Sequence, residues 1–165
     1  MEKNLDNTAA LEKYRNLAED IGICMLISAP DDTQTARPMS TTKVEEDGTT
    51  WFFTSIVSGK IEEIRNDHLV RMIYAHPGKS SYMDVWGVAN VVKDKQKIQE
   101  LWNPIVKAWF PDGVDDPNLC LIRVNPSNAH YWDSEQGRMI QFMKIITSAV
   151  TGQKLSQGVE GSLNL

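Results

Sequence analysis

Lys60 stands directly after Ser58 and Gly59, where the aromatic run Trp51-Phe52-Phe53 gives way to residues of helical spacing. Thr54 and Ser55 close that run on the other side. These residue types suit an anion. The start of a helix carries unpaired backbone N–H groups and a partial positive charge. Ser58 is a natural cap, Gly59 lets the backbone come close, Lys60 adds a full charge, and Thr54 and Ser55 can donate from their hydroxyls. The stretch is not a Walker A loop, because Ile61 follows the lysine and no glycine precedes it at the required distance. A plain serine cap with a solvated lysine accounts for the same residues, and from this stretch alone both readings stand. A second donor-rich stretch, "ARPMST", sets Arg37 and Ser40 around Pro38 and Met39. Proline removes a ladder hydrogen bond, so this is an edge or interrupted strand. Either Arg37 is a surface residue of that edge, or it joins the first stretch in gripping one phosphate through bidentate contacts.

Other chemistries find less support. His68, His76 and His130 lie on different expected elements without HxH or HExxH spacing, so no metal site is assigned. There is no GxSxG elbow, and neither Cys24 nor Cys120 has a histidine near it in sequence, so no catalytic nucleophile, acid or base is assigned. The cysteines form no CxxC pair and sit in apolar, strand-like surroundings, as reduced core residues do. Asp112, Asp115 and Asp116 lack the ligand spacing and closing glutamate of a calcium loop and read as a solvated turn.

The elements that must position these residues follow from hydrophobic period. Leu11, Tyr14, Leu17, Ala18 and Ile21 predict an amphipathic helix over about 8–20. "IGICMLISA" is a short strand closed by Pro30-Asp31-Asp32, "ARPMSTTKV" its partner, and Asp47-Gly48 marks the next hairpin. "TTWFFTS", "LVRMIYA" and "SSYMDVWGVANVV" are three further strands. In the last of these Met83, Val85, Gly87, Ala89 and Val91 share a core face, while Tyr82, Asp84, Trp86 and Asn90 share the other. A helical stripe runs from Asp94 to Trp109, with a kink or break expected at Pro104. "LCLIRV" and "AHYWD" read as two strands divided at Asn125-Pro126. Met139, Phe142, Met143, Ile146 and Val150 predict a last helix, and a polar tail, mobile or ordered only against a partner, is expected over 156–165.

Short strands joined by tight turns, with few helices between them, predict a mainly β (α+β) fold: an antiparallel sheet closing toward a barrel with flanking helices. At 165 residues the chain is read as one domain over 1–155 plus the tail. A formal charge of −5 with no basic stretch argues against general nucleic-acid binding. No apolar run approaches a membrane span, and the polar, acidic first twenty residues do not read as a secretory signal, so a cytoplasmic location without membrane attachment is expected.

Five segments in order, "ARPMS", "WFFTSIVSGK", "YMDVWGVANVV", "LWNPIVKAWFPDGVDDPN" and "LIRVNPSNAHYWD", resemble the pyridoxamine 5'-phosphate oxidase-like FMN-binding split barrels, in particular their general stress protein branch. The resemblance covers roughly residues 8–155. It implies a Greek-key split barrel that forms a homodimer, with FMN held between the subunits. By position it places Arg37, Pro38, Met39 and Ser40 along the flavin and its ribityl-phosphate, with Phe53, Thr54 and Ser55 on the next strand. Ser58 and Lys60 match the phosphate-binding stretch, in which an arginine often precedes the lysine; here that position is Gly59. Tyr82 occupies the place of a cofactor-contacting glutamine, and Trp132 matches a tryptophan that reaches FMN from the other subunit. Trp109 and Phe110 are candidates for the groove wall, core packing being the alternative. The oxidases themselves carry an Arg-x-His stretch after that tryptophan. This chain has "DSEQGRMIQF" instead, so vitamin B6 synthesis is not expected. The resemblance thus implies an FMN-dependent oxidoreductase of unassigned substrate or, in another class, a flavin-binding or flavin-sensing stress protein without turnover.

Overall fold

The computed structural model describes residues 5–29, 35–134 and 159–165. Strand β1 (Leu5–Asp6) leads into helix α1 (Asn7–Ile21), then β2 (Ile23–Ser28) and β3 (Thr35–Ser40). The short β4 (Lys43–Val44) and β5 (Thr50–Ser55) precede α2 (Gly59–Asn66), β6 (Leu69–His76) and the long β7 (Ser81–Val92). Helix α3 (Lys95–Leu101) and two short 3-10 turns lead to β8 (Leu119–Asp133), and β9 (Val159–Asn164) completes the sheet.

The strands run in the order β1-β9-β8-β7-β6-β2-β3, antiparallel throughout except where β1 pairs with β9. Strand β8 is the branch point. One edge pairs with β7 along most of its length, while the other meets β5 over its first half and β9 over its second. This branching curls the sheet into the expected antiparallel split barrel. Strict alternation on β7 buries Met83, Val85, Gly87 and Ala89, as their spacing predicts. They meet Leu26, Phe52, Met72, Ile122 and α1's Tyr14 and Leu17 in the main core. A second, smaller cluster packs α3 and the turns after it against the other face of β5 and β8, through Trp51, Ile98, Leu101, Val106, Phe110, Leu119 and Leu121.

Two sequence expectations change, and one is met. Asn125-Pro126 does not divide two strands, because β8 runs through it with a register shift opposite Trp86 and Gly87. The bulge tolerates a proline that cannot donate. It also explains the glycine: a Cβ on Gly87 would lie 2.8 Å from the Asn125 carbonyl oxygen. The stripe over 94–109 breaks near Pro104, as expected. Asp94 caps α3 by accepting from the Gln96 and Lys97 amides, the helix ends at Leu101, and the chain passes Pro104 into the turn Val106–Ala108. The tail, finally, does not wait for a partner. Within the same chain β9 pairs with both β8 and β1, and Leu163 is wholly buried in the main core. The expected helix over 139–150 and the Pro30-Asp31-Asp32 turn lie outside the described residues.

Candidate functional site

Alternation on β3 decides where its residues point. Arg37 and Met39 pair with the buried Leu26 and Cys24 of β2 and so share the core face, whereas Pro38 and Ser40 face outward and are exposed. Met39 is buried in the core. Arg37, one pair nearer the strand end, reaches α2 instead. Its Nη2 donates to Glu63 Oε1 at 2.8 Å and its Nη1 to Glu63 Oε2 at 2.9 Å, while Nη1 also donates to Ser28 Oγ at 2.9 Å. The wholly buried Ser28 hydroxyl donates in turn to Glu63. Hydrogen bonding from Arg37 is the main reason the Glu63 carboxyl is held below the usual carboxylate range, with Ser28 and Lys60 adding to it against the opposing effect of burial.

Lys60 lies beside this pair. Its ammonium donates to Thr54 Oγ1 at 2.9 Å and to Ser58 Oγ at 2.7 Å, and the residue is only 7% exposed. No carboxylate of the described residues forms an ion pair with it. An ammonium has three donors, so two hydroxyls leave one without a partner among those residues. Burial lowers the Lys60 pKa and the Arg37 charge lowers it further. Both effects would be relieved by an anion. Ser58 occupies the cap position of α2, but its hydroxyl serves Lys60 and makes no cap bond. The Cys120 thiol, pushed up to about 11 by burial, donates to the Thr54 carbonyl at 3.5 Å and is no nucleophile at neutral pH.

Of the residues expected from sequence, Arg37, Thr54, Ser58 and Lys60 therefore come together. Ser55 is the last residue of β5, its carbonyl accepting from the Ser58 amide at 3.1 Å in the turn that delivers Lys60. Phe53 points away from the barrel interior and packs edge-on against Trp102, 6.0 Å between ring centres. The Trp109-Phe110 pair divides: Phe110 belongs to the second core cluster, and Trp109 is 79% exposed. Tyr82 and Trp132 stand directly opposite each other on β7 and β8, both on the outer face, and the His130 ring lies 4.5 Å from that of Trp132. That outer face also exposes Ile23, Met25 and Val88, with Arg71 gripping Asp84 bidentately at 2.7 and 2.6 Å and lying over Trp86.

Ser28 and Glu63 are missed by the sequence reading. Glu63 had a signal: it lies three residues after Lys60, on the same side of a helix whose Ile61 and Ile64 fix the buried face. Ser28 had none, since its role depends on the pairing of β2 with β3.

A curled antiparallel sheet with a basic, hydroxyl-lined end defines the class as a split barrel. The chain belongs to the pyridoxamine 5'-phosphate oxidase like family, whose model matches residues 9–156. Its structure is similar to general stress protein 26 of Jannaschia sp. CCS1, with a TM-score of 0.81 at 21% identity over 96% of this chain and 100% of that one. It is also similar to the general stress FMN/FAD binding protein of Xanthomonas citri, with a TM-score of 0.69 at 28% identity, covering 79% of this chain and 93% of the other. Protein bli-3 of Neurospora crassa is 27% identical over 110 residues, 62% of this chain and 53% of that protein, so the chain spans about half the length of this relative.

Proposed function

We propose that the chain is a cytoplasmic, homodimeric flavoprotein that binds FMN between its subunits and serves as an oxidoreductase. The observation that carries this reading is Lys60: a buried ammonium with two hydroxyl partners and a donor left over, beside an arginine. These residues fit a phosphate monoester. Lys60, Thr54 and Ser58 would hold the phosphate, with Arg37 adding charge from β3, and Pro38 and Ser40 would lie along the ribityl chain and ring. The family match and the FMN/FAD named for the Xanthomonas citri protein support a flavin as the ligand.

The homodimer reading draws on the outer face. Ile23 (58% exposed) and Met25 (40%) on β2, Tyr82 (37%) and Val88 (45%) on β7 and Trp132 (41%) on β8 lie on one face of the sheet, with β6 between β2 and β7. Large exposed apolar side chains gathered on one face, here around the Arg71–Asp84 pair, mark an interaction surface. A second copy seated there would exclude water and bring the partner's Trp132 toward the flavin ring. When bound, the flavin supplies the electron exchange, and the chain contributes binding, orientation and control of access. Lys60 and Arg37 anchor one end of the cofactor, and the aromatic pair Tyr82–Trp132 limits what reaches the other.

The test is the visible spectrum of the protein purified without added cofactor, together with identification of what denaturation releases. A flavin band with FMN released is expected, as is reduction of that band by NADH or NADPH. Colourless protein that also fails to take up FMN would refute the cofactor. FMN that binds but is never reduced and reoxidised would leave a flavin-binding protein without turnover.

A further inference from the structure

Glu63 is not among the residues expected to meet the flavin, yet it is the group that holds Arg37. Its two oxygens take the bidentate place on the guanidinium fork that a phosphate would otherwise take. Both N–H groups of Nη1 are committed, one to Glu63 and one to Ser28. Among the described residues that leaves Nε–H and one N–H of Nη2, so the guanidinium is fixed in orientation with one edge still able to donate. The carboxylate also changes the charge of the site. Lys60 and Arg37 bring two positive charges and Glu63 removes one, whereas a phosphate monoester carries about −1.5 to −2 near neutral pH. The site is built one charge short of its ligand.

Resting on the flavin-phosphate reading of this end, we propose that Glu63 is a positioning and charge-setting residue. It aims Arg37 at the phosphate, and it holds the affinity for that phosphate below what two unopposed cations would give. The phosphorylated ligand is thereby exchangeable. Glu63 acts on the phosphate end alone and is indifferent to the isoalloxazine ring.

The experiment compares wild type, Glu63→Gln and Glu63→Ala in binding FMN, riboflavin and inorganic phosphate at low and high salt. Glutamine keeps an acceptor for Arg37 and the shape of the contact while removing the charge. Glu63→Gln is expected to tighten FMN and inorganic phosphate about three- to tenfold at low salt, to steepen their salt dependence, and to leave riboflavin unchanged. Glu63→Ala, which also releases Arg37, is expected to gain less. FMN binding that is unchanged or weaker in Glu63→Gln, in a protein that binds flavin, overturns the role of Glu63 and leaves the flavin reading intact. Tighter inorganic phosphate in a protein that binds neither flavin supports Glu63 and refutes the flavin. No binding of phosphate or FMN by any of the three refutes both.

Discussion

Arg37 and Pro38 are neighbours in the chain, and β3 sends them to opposite sides of the sheet. The inner side leads to a polar cluster that one chain assembles and leaves with donors to spare: Glu63 and Ser28 hold Arg37 by part of its guanidinium, and Lys60 has two hydroxyl partners. The outer side leads to Tyr82 and Trp132 among exposed Ile23, Met25 and Val88, which one chain leaves facing solvent. Period-two alternation thus equips a single sheet with two surfaces of opposite chemistry. One suits a phosphate. The other suits an aromatic ring or a second apolar face. In the proposed homodimer the cofactor needs both, the phosphate grip from one subunit and the aromatic cover from its partner.

The two surfaces should separate most visibly at Trp132. Trp132→Ala should leave the fold of the chain close to wild type, because the ring is half exposed, and cost the dimer about 2–4 kcal/mol as a central aromatic anchor. Sedimentation and thermal melting together check this; an unchanged dimer with a destabilised fold would place Trp132 in the core instead. On the inner side, Lys60→Ala removes a charge-assisted contact of about 1.5–3 kcal/mol, so FMN affinity should fall roughly ten- to a hundredfold while the dimer persists. Fluorescence titration with FMN and riboflavin separates the loss, which should fall on FMN alone. Gly87→Ala, at the bulge that bends the outer face, forces a Cβ toward the Asn125 carbonyl and should cost about 1–3 kcal/mol in chemical denaturation. Gly59→Arg sharpens the inner side instead. A Cβ there meets nothing within 4 Å, so a side chain can leave the backbone freely, and FMN should bind several-fold tighter, by about 1 kcal/mol.

The smallest effect is in pH. Burial lowers the Lys60 pKa from its ordinary 10.5, so the folded protein binds this proton less tightly than the unfolded chain. The penalty for the buried charge is present in full below the folded pKa and is relieved as pH rises toward 10.5. Phosphate binding needs the charged form and runs the other way. FMN affinity should therefore decline on the alkaline side at a lower pH than an exposed lysine would give, and that decline should vanish in Lys60→Ala.

Much of this was legible in the sequence because alternation is a local signal. The two faces of β7, the Asp47-Gly48 hairpin, the Asp94 cap and the break near Pro104 all follow from residues within a few positions of one another. Lys60, Thr54 and Ser58 were legible for the same reason, being separated by one short turn. What the sequence hid depends on contacts between distant segments. Ser28 acts because β2 lies against β3, and β9 takes its place between the distant strands β8 and β1. Leu163 is the core residue that this pairing brings in, and nothing in a polar, glycine-containing tail announces it. Asn125-Pro126 misled for a related reason: a proline that ends a strand in isolation is absorbed by a bulge when the opposite residue is glycine. For Arg37 the residue type announces a donor, and only the packing of β3 against α2 reveals the Glu63 carboxylate on its fork.

In the proposed function the Lys60 end of the barrel grips the phosphate of a flavin. A crystal structure of the protein with FMN tests it most directly. A phosphate oxygen within about 2.7–3.2 Å of Lys60 Nζ, with Thr54 and Ser58 around it and the partner's Trp132 near the ring, is the predicted result. FMN bound elsewhere, with Lys60 still held only by its two hydroxyls, would contradict it.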